Sequence, residues 1–543
     1  MAEDILLKIV EGRKAAIKEK GLSFGFEIPS ERERPLHPFV QKKGVVLEVK
    51  RASPSKGNIA LGLDAKKTAL CYQEAGAAAV SVLTEENYFK GNLGDLISVC
   101  RGVDIAVLRK DFLIFPEEID MAYKCGADAV LLIARILDKE TLAKMLERTA
   151  SFGMTAFVEL RLEEDLQKLL EAKSLAEKKL PQIVCGVNAR DLKDFSIDLL
   201  APCGFLGEIK AALGNSCSVV FESGIRTSSA ASFAGSLGFE GLLLGEAAAR
   251  DLGKARELVS SFVNAGKNDN GAFWISFSKK VRERKIVSKK SEGSEKKAGR
   301  PFVKICGLTN FEDAALAADL GADFLGFVLC ASSPRNAEEN VVREVRAALR
   351  DKKLRRKSAS EASRRSAGNN DCGFAFDDTS GPLFVGVVTE LSSPQGKAAV
   401  RLVKEGILDC LQLHGKTAAS EFFSDSKYSF LPHYCAANLQ DGGGLEEAQG
   451  LLNLGESRIL VDAKVGSAVG GTGTQVPEDL VLAAAKKAPL WLAGGLGPDN
   501  VRLVIEKFKP ELIDASSLLE AAPGKKDEKK LRAFLAEVGA AAV

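Results

Sequence analysis

Val45-Val46-Leu47-Glu48-Val49-Lys50 is a nearly unbroken aliphatic run interrupted by a carboxylate and closed by a lysine. Similar runs recur at 78–83, 105–108, 129–133, 155–159, 183–187, 218–222 and 241–245, with helical stretches between them. Apolar character that is continuous rather than alternating marks strands covered on both faces, as in a parallel sheet. Eight βα units in roughly 250 residues is the arithmetic of a (β/α)8 barrel. A doubly wound open sheet needs no such number, and its first turn often carries G-x-G-x-x-G, which is missing after Val49.

The pattern restarts at Phe302. Strands are expected at 302–306, 323–329, 383–388, 409–413, 428–431, 458–461, 489–493 and 511–515. The chain therefore reads as α/β, two consecutive (β/α)8 TIM barrels over residues 1–263 and 301–543 joined by a basic linker, 264–300. Two adjacent aromatics in that linker, Phe273 and Trp274, are suited to docking on a barrel. Residues 350–381 read as an insertion in the second barrel with too few apolar side chains to pack, and disorder is expected there.

Composition narrows the function classes. At 543 residues the chain exceeds one ordinary core, and 46% hydrophobic residues suffice for two. It holds no apolar run of about 20 residues, so no membrane partner is expected, and Met1 to Arg13 resembles neither a signal nor a transit peptide. Eleven cysteines without a C-x-x-C pair, and only His37, His414 and His433, argue against a zinc site or a disulfide framework. A reducing, cytoplasmic setting is expected. The formal charge of +2 is uneven: residues 264–300 carry +7 and 350–381 carry +3, leaving −8 on the remainder. A mildly acidic body without aromatics interleaved among its basic residues is no nucleic-acid surface.

Barrel enzymes hold their chemistry where strands end. In the first half those positions carry Glu48 and Lys50, then Ser53; Lys110; Glu159; Asn188 and Arg190; Glu222, Ser223 and Gly224; and Gly245. One lysine or glutamate at a strand end is ordinarily a solvated rim residue. Ionisable residues at most of the strand ends, facing one partly dry mouth, shift one another's pKa as acid–base catalysis requires. Ser-Gly and Gly after the last two strands suit a phosphate, held by backbone N–H groups. In the second half the ends carry Lys304 and Cys306; Arg335; Gln412 and His414; Asp462; Gly471 and Gly473; Gly494 and Gly495; and Asp514, Ser516 and Ser517. Alone, a strand cysteine is usually core, a single histidine structural, and one G-G-T-G a weak phosphate signal. Their joint position at strand ends is what carries weight.

L-E-V-K-R-A-S-P-S-K-G (47–57), S-V-L-T-E-E-N-Y-F (81–89), L-R-K-D-F (108–112), V-N-A-R-D-L (187–192) and E-S-G-I (222–225) resemble indole-3-glycerol-phosphate synthase over residues 1–262. The resemblance implies closure of an indole ring with loss of CO2 and water, without metal or organic cofactor. It implies Lys110 as general acid, Glu159 as base in dehydration, and Glu48 assisting proton transfer. Lys50 would bind the phosphate and carboxylate side of the substrate. Asn188, Arg190 and Glu222 would orient it, and Ser53, Ser223, Gly224 and Gly245 would line the phosphate region. Glu246 departs from the small hydroxyl residue usual there, and its side chain is expected to point away.

K-I-C-G-L-T (304–309), Q-L-H-G (412–415), G-G-T-G (470–473) and A-G-G-L (493–496) resemble phosphoribosylanthranilate isomerase. That resemblance implies an Amadori rearrangement with Cys306 as base and Asp462 as acid, and Arg335 on the anthranilate carboxylate. Gly471, Gly473, Gly494, Gly495, Ser516 and Ser517 would hold the phosphate, with His414 and Asp514 among the binding residues. Leu518, where a glycine is usual, and Thr474-Gln475-Val476-Pro477 depart from the pattern. An active synthase with a degenerate second barrel is the alternative reading. The partners implied are phosphosugar–anthranilate substrates and other tryptophan-pathway enzymes.

Overall fold

The computed structural model describes the chain except residues 1–4, 55–56, 178, 192–195, 246–250, 291–299, 363–380, 440–442, 464–477 and 542–543. It describes only the backbone of 252, 285–290 and 351–362. The chain forms two compact units, Met1–Lys267 and, in the main, Asn268–Leu452 with Glu456–Val543.

In the first unit the strands are β1 Gly44–Val49, β2 Ala79–Leu83, β3 Ala106–Lys110, β4 Ala129–Ile133, β5 Thr155–Leu160, β6 Gln182–Asn188, β7 Ser218–Glu222 and β8 Gly241–Leu244. All pair in parallel, each with its sequence neighbour, and β8 returns to β1 with Val46 opposite Leu243. Buried Val46, Leu108, Leu131, Phe157, Val184, Val220 and Leu243 fill the interior. Outer helices start where a short polar side chain meets the first turn. Asp64, Asn92, Asp138, Thr227 and Asp251 each accept the backbone N–H three residues on, one of the orphan donors of a helix start. A helix the sequence reading did not single out, α1 Ile5–Lys20, adds Leu6 and Ile9 to the same core.

The second unit repeats the architecture with β9 Phe302–Cys306, β10 Phe324–Val328, β11 Leu383–Val388, β12 Cys410–His414, β13 His433–Asn438, β14 Ile459–Asp462, β15 Trp491–Ala493 and β16 Leu512–Ala515. Its fifth strand corrects an expectation. Residues 428–431 are not that strand: a 3-10 turn covers Ser426–Tyr428, and His433-Tyr434-Cys435-Ala436-Ala437-Asn438 pairs with β12 and β14. Small and polar residues disguise this strand, but its first five are buried.

The linker expectation is corrected too. Asp269–Lys290 is a helix, α2. Trp274 and Phe277 are buried from it against Phe302, Phe324 and Trp491, with ring centroids 5.1–6.1 Å apart. Phe273 is only half-buried, edge-on to Trp274. Arg284, one of the residues that made this stretch look like a solvated linker, lies 3.6 Å from the Phe302 ring centroid and 2.6 Å from Asp323. Helix α2 thus covers the end of the barrel where its strands begin. The first part of the expected insertion likewise continues a helix, α3 Glu339–Ala362; its remainder, 363–380, lies outside the described residues. Among the described residues no helix is long and apolar enough to cross a membrane.

The chain has two tryptophans, and their rings lie 6.1 Å apart in this unit. Trp274→Ala should cost about 3–5 kcal/mol, as for other large-to-small core changes, read in urea by Trp491 fluorescence. A fragment beginning at residue 268 should unfold cooperatively where one beginning at 296 does not. An unchanged midpoint in the variant would make α2 a passive tether.

Candidate active sites

Inward side chains of a closed parallel barrel form layers drawn from alternate strands. In the first barrel β1, β3, β5 and β7 contribute Glu48, Lys110, Glu159 and Glu222. Lys110 Nζ lies 2.9 Å from Glu48 Oε2 and 3.4 Å from Glu222 Oε2, and Lys50 Nζ lies 3.2 Å from Glu48 Oε1. Space for this cluster is cut from the neighbouring strand. A Cβ on Gly186 would fall 2.2 Å from Glu222 Oε1 and 2.6 Å from Phe157 Cζ, so β6 can carry only glycine there.

The cluster separates its carboxyls. Burial alone would raise Glu48, but the ammonium groups of Lys110 and Lys50 outweigh it and hold Glu48 down at about 2. Burial pushes Glu222 up to about 8, with Lys110 opposing and Glu159 adding to the rise. Glu159 is also raised, mainly by burial, against the pull of Lys110 and a hydrogen bond with Asn188. Lys110 itself is raised: burial would lower it, but three carboxylates hold its proton. One depressed carboxyl, two raised ones and a fixed ammonium make an acid–base set.

Two lobes open on this cluster. A cavity of about 130 Å³ has an apolar side of Ile5, Leu6 and Ile9 from α1 with Phe89, Phe112, Leu131 and Ile133. An adjoining one of about 90 Å³ shares Glu48, Lys50, Ser53, Lys110, Arg190 and Ser223 and adds Gly224 and Gly245. Ser223 has φ +71° and Gly224 +86°. A serine held in the left-handed region costs about 1–3 kcal/mol, strain of the kind retained where a chain must turn sharply at a site. The helix over the mouth is latched: Arg13 donates to Asp111 at 2.7 Å and to Glu118 at 3.0 Å, all three buried, and Asp111 directly follows Lys110.

In the second barrel a cavity of about 400 Å³ is lined by Cys306, Arg335, Gln412, His414, Asp462, Gly494, Gly495, Asp514, Ser516 and Ser517. Beneath it Lys304, fully buried, donates to Asp514 Oδ2 at 2.6 Å and to Gln412 Oε1, which also accepts from Tyr434 at 3.0 Å. Burial pushes the Cys306 thiol up and Lys304 pulls it back. Ser516 Oγ donates to Cys306 O at 3.0 Å, tying the last strand end to the first.

Comparison with known proteins separates the same two halves. The sequence profile of indole-3-glycerol phosphate synthase matches residues 7–258, and that of N-(5'phosphoribosyl)anthranilate isomerase matches 346–537. The indole-3-glycerol phosphate synthase of Rhodococcus jostii is 43% identical over 224 residues, 41% of this chain and 78% of its own length. The tryptophan biosynthesis protein TRP1 of Phytophthora nicotianae is 30% identical over 495 residues, 86% of each chain. The chain belongs to the fused indole-3-glycerol-phosphate synthase and phosphoribosylanthranilate isomerase family. A multifunctional tryptophan biosynthesis protein of Schizosaccharomyces pombe is 29% identical over 514 residues, and the chain spans 59% of that longer relative.

Within the synthase barrel the expected Glu48, Lys50, Ser53, Lys110, Glu159, Asn188, Arg190 and Ser223 line one cavity, and Gly224 and Gly245 line the adjoining one. Glu222 sits beneath, bonded to Lys110. Glu246 lies outside the described residues. Within the isomerase barrel Cys306 and Asp462 share a cavity, whereas Gly471, Gly473 and the 474–477 segment lie outside the described residues. Leu518 is half exposed, packs against Gly497 and, among the described residues, lies outside the cavity lining. Arg335 lines the cavity, but its Nε and Nη2 bond Glu520 at 2.8–3.1 Å. Glu520 was missed by the sequence reading, as were the apolar residues of α1. The available signal for α1 was helical spacing: Arg13 follows Val10 by three residues and Ile9 by four, on the face that buries Leu6.

The carboxyl shifts make a stability test. Glu222 is raised above the unfolded glutamate value of about 4.3, so its contribution falls as pH rises from about 4 toward 8. Glu48 is depressed, so its contribution is present above about 4.3 and lost as pH falls toward 2. Glu222→Gln should therefore gain stability on the native protein between pH 5 and pH 8.5, measured as the urea midpoint of the first barrel by circular dichroism. An offset identical at both pH values would mean that Glu222 is ionised in the fold.

Proposed function

We propose that the second barrel isomerises N-(5-phosphoribosyl)anthranilate to carboxyphenylamino-deoxyribulose 5-phosphate, and that the first closes this product to indole-3-glycerol phosphate. The observation that carries the synthase half is the contact of Lys110 with Glu48 and Glu222 in a layer that also contains Glu159. Ring closure places negative charge on the substrate carbonyl oxygen. Lys110 is the ammonium positioned to donate there, and ionised Glu48 keeps it charged. Loss of CO2 restores electrons to the ring system; in the dehydration that follows, the hydroxyl formed at the former carbonyl leaves as water on taking a proton back from Lys110, while Glu159, raised by burial, takes the proton released by the ring system. The anthranilate ring fits the apolar lobe. Lys50 and Arg190 with the Ser223–Gly224 turn and Gly245 form the polar lobe for the phosphate.

For the isomerase half, Asp462 protonates the ribose ring oxygen, and the lone pair of the anthranilate nitrogen opens the ring to a protonated imine. Cys306 then removes the proton at C2, giving the enamine that tautomerises to the aminoketose. The carboxylate of the anthranilate meets Arg335, in exchange with or beside Glu520. Leu518 lying clear of the cavity favours this over a degenerate second barrel.

Supplying phosphoribosylanthranilate should yield indole fluorescence from the intact chain. Cys306→Ser or Asp462→Asn should lower that yield by about 10²-fold or more while leaving turnover of the carboxyphenylamino substrate intact. Lys110→Ala or Glu159→Gln should lower indole formation from either substrate similarly, with the intermediate accumulating. Indole formed from phosphoribosylanthranilate at the native rate in the Cys306 variant would remove that residue from the mechanism.

A further inference from the structure

Lys304 is the buried ionisable group that the proposed chemistry leaves without a task. It is fully buried two residues before Cys306 on β9, and both side chains face the barrel interior. A Cβ on Gly326 of β10 would lie 2.7 Å from Cys306 Sγ and 2.9 Å from Lys304 Cε. The thiol and the end of the lysine stem therefore converge on the bare face of one glycine. The ammonium beyond that stem is fixed by Asp514 at 2.6 Å and by Gln412, itself held by Tyr434.

We propose that Lys304 is a positioning residue for the isomerase reaction, a fixed buried cation whose task is to stabilise the Cys306 thiolate that removes the C2 proton. This rests on the reading of Cys306 as the base. A buried cation is costly unless paired, and Asp514 supplies the pair. The price is that Asp514 repels the thiolate, and the pull of Lys304 outweighs that repulsion. The other groups acting on the thiol are Lys526 and Arg335, both already shared with Glu520, and the Tyr434 phenol. None of these converges with Sγ on Gly326 as Lys304 does. When Cys306 takes the proton from C2, the thiolate charge is lost as the electron pair of the C–H bond neutralises the protonated imine, and the ammonium remains charged throughout.

Lys304→Gln keeps hydrogen bonds to Asp514 and Gln412 while removing the charge, and Lys304→Met removes both. The pH dependence of Cys306 alkylation by iodoacetamide, followed by mass spectrometry of the peptide that contains it, reads the thiol directly. Tryptophan fluorescence checks that the unit is folded. The thiol pKa should rise by about one to three units in Lys304→Gln, the range for an opposite charge within about 4–6 Å. The alkaline-going limb of isomerase kcat/KM should move with it, so that activity partly recovers at high pH, and Lys304→Arg should restore the native profile. An unmoved thiol pKa in a folded neutral variant overturns the proposal, even if activity falls at all pH values, because the residue would then be structural. Native isomerase activity in Cys306→Ser would instead overturn the reading of the base on which it rests.

Discussion

Closure of a parallel sheet on itself is the constraint from which the sites follow. A closed sheet has no edge strand, and its inward side chains must fill the interior in layers taken from alternate strands. In the first barrel one such layer near the C-terminal rim is given to Glu48, Lys110, Glu159 and Glu222 rather than to aliphatic residues. Below it Val46, Leu108, Phe157 and Val220, on the same strands two residues earlier, form a buried apolar floor. The chemistry sits on a packed base that excludes water from one side, and this is why each carboxyl in the layer feels its neighbours strongly.

The two barrels use the same device with different partners. Each buries an amine and holds its charge with carboxylates: Lys110 among three glutamates, Lys304 against Asp514. In each, a glycine on an adjacent strand makes the room, Gly186 beside Glu222 and Gly326 beside Cys306. Interiors packed to crystal density leave no slack for a polar cluster unless a neighbour gives up its side chain. The glycines are thus as much a part of each site as the groups that titrate.

The barrels were legible because eight continuous apolar runs in the first half and seven in the second permit few other architectures, and the strand ends because polar residues there break those runs. The fifth strand of the second barrel was hidden by His433, Cys435 and two alanines, whose burial comes from tertiary packing that a run of residues does not display. Helix α2 was hidden by its lysines and arginines. Its identity as the cover of a barrel rests on Trp274 and Phe277, three residues apart on one face, with Lys279 and Glu283 exposed on another. Arg335 was legible as a cavity residue, but not its bond to Glu520, which lies 185 positions away. Long-range pairing of charges leaves no local trace.

Charge balance in the synthase cluster sets where a proton must reside. Glu48, Glu159 and Glu222 face Lys110 and Lys50, with Arg190 lining the same mouth, so ionising all three would set more negative charge against the two lysines than they offset. Burying such a charge costs several kcal/mol, more than protonating one carboxyl near neutrality. Glu48 is excluded as the carrier because both ammonium groups contact it. The proton therefore falls to Glu222, which burial pushes up to about 8, with Glu159 raised beside it. A carboxyl kept neutral can donate as well as accept, so the free protein already holds a mobile proton beside the lysine. An anionic substrate entering this mouth adds negative charge and strengthens the hold on that proton.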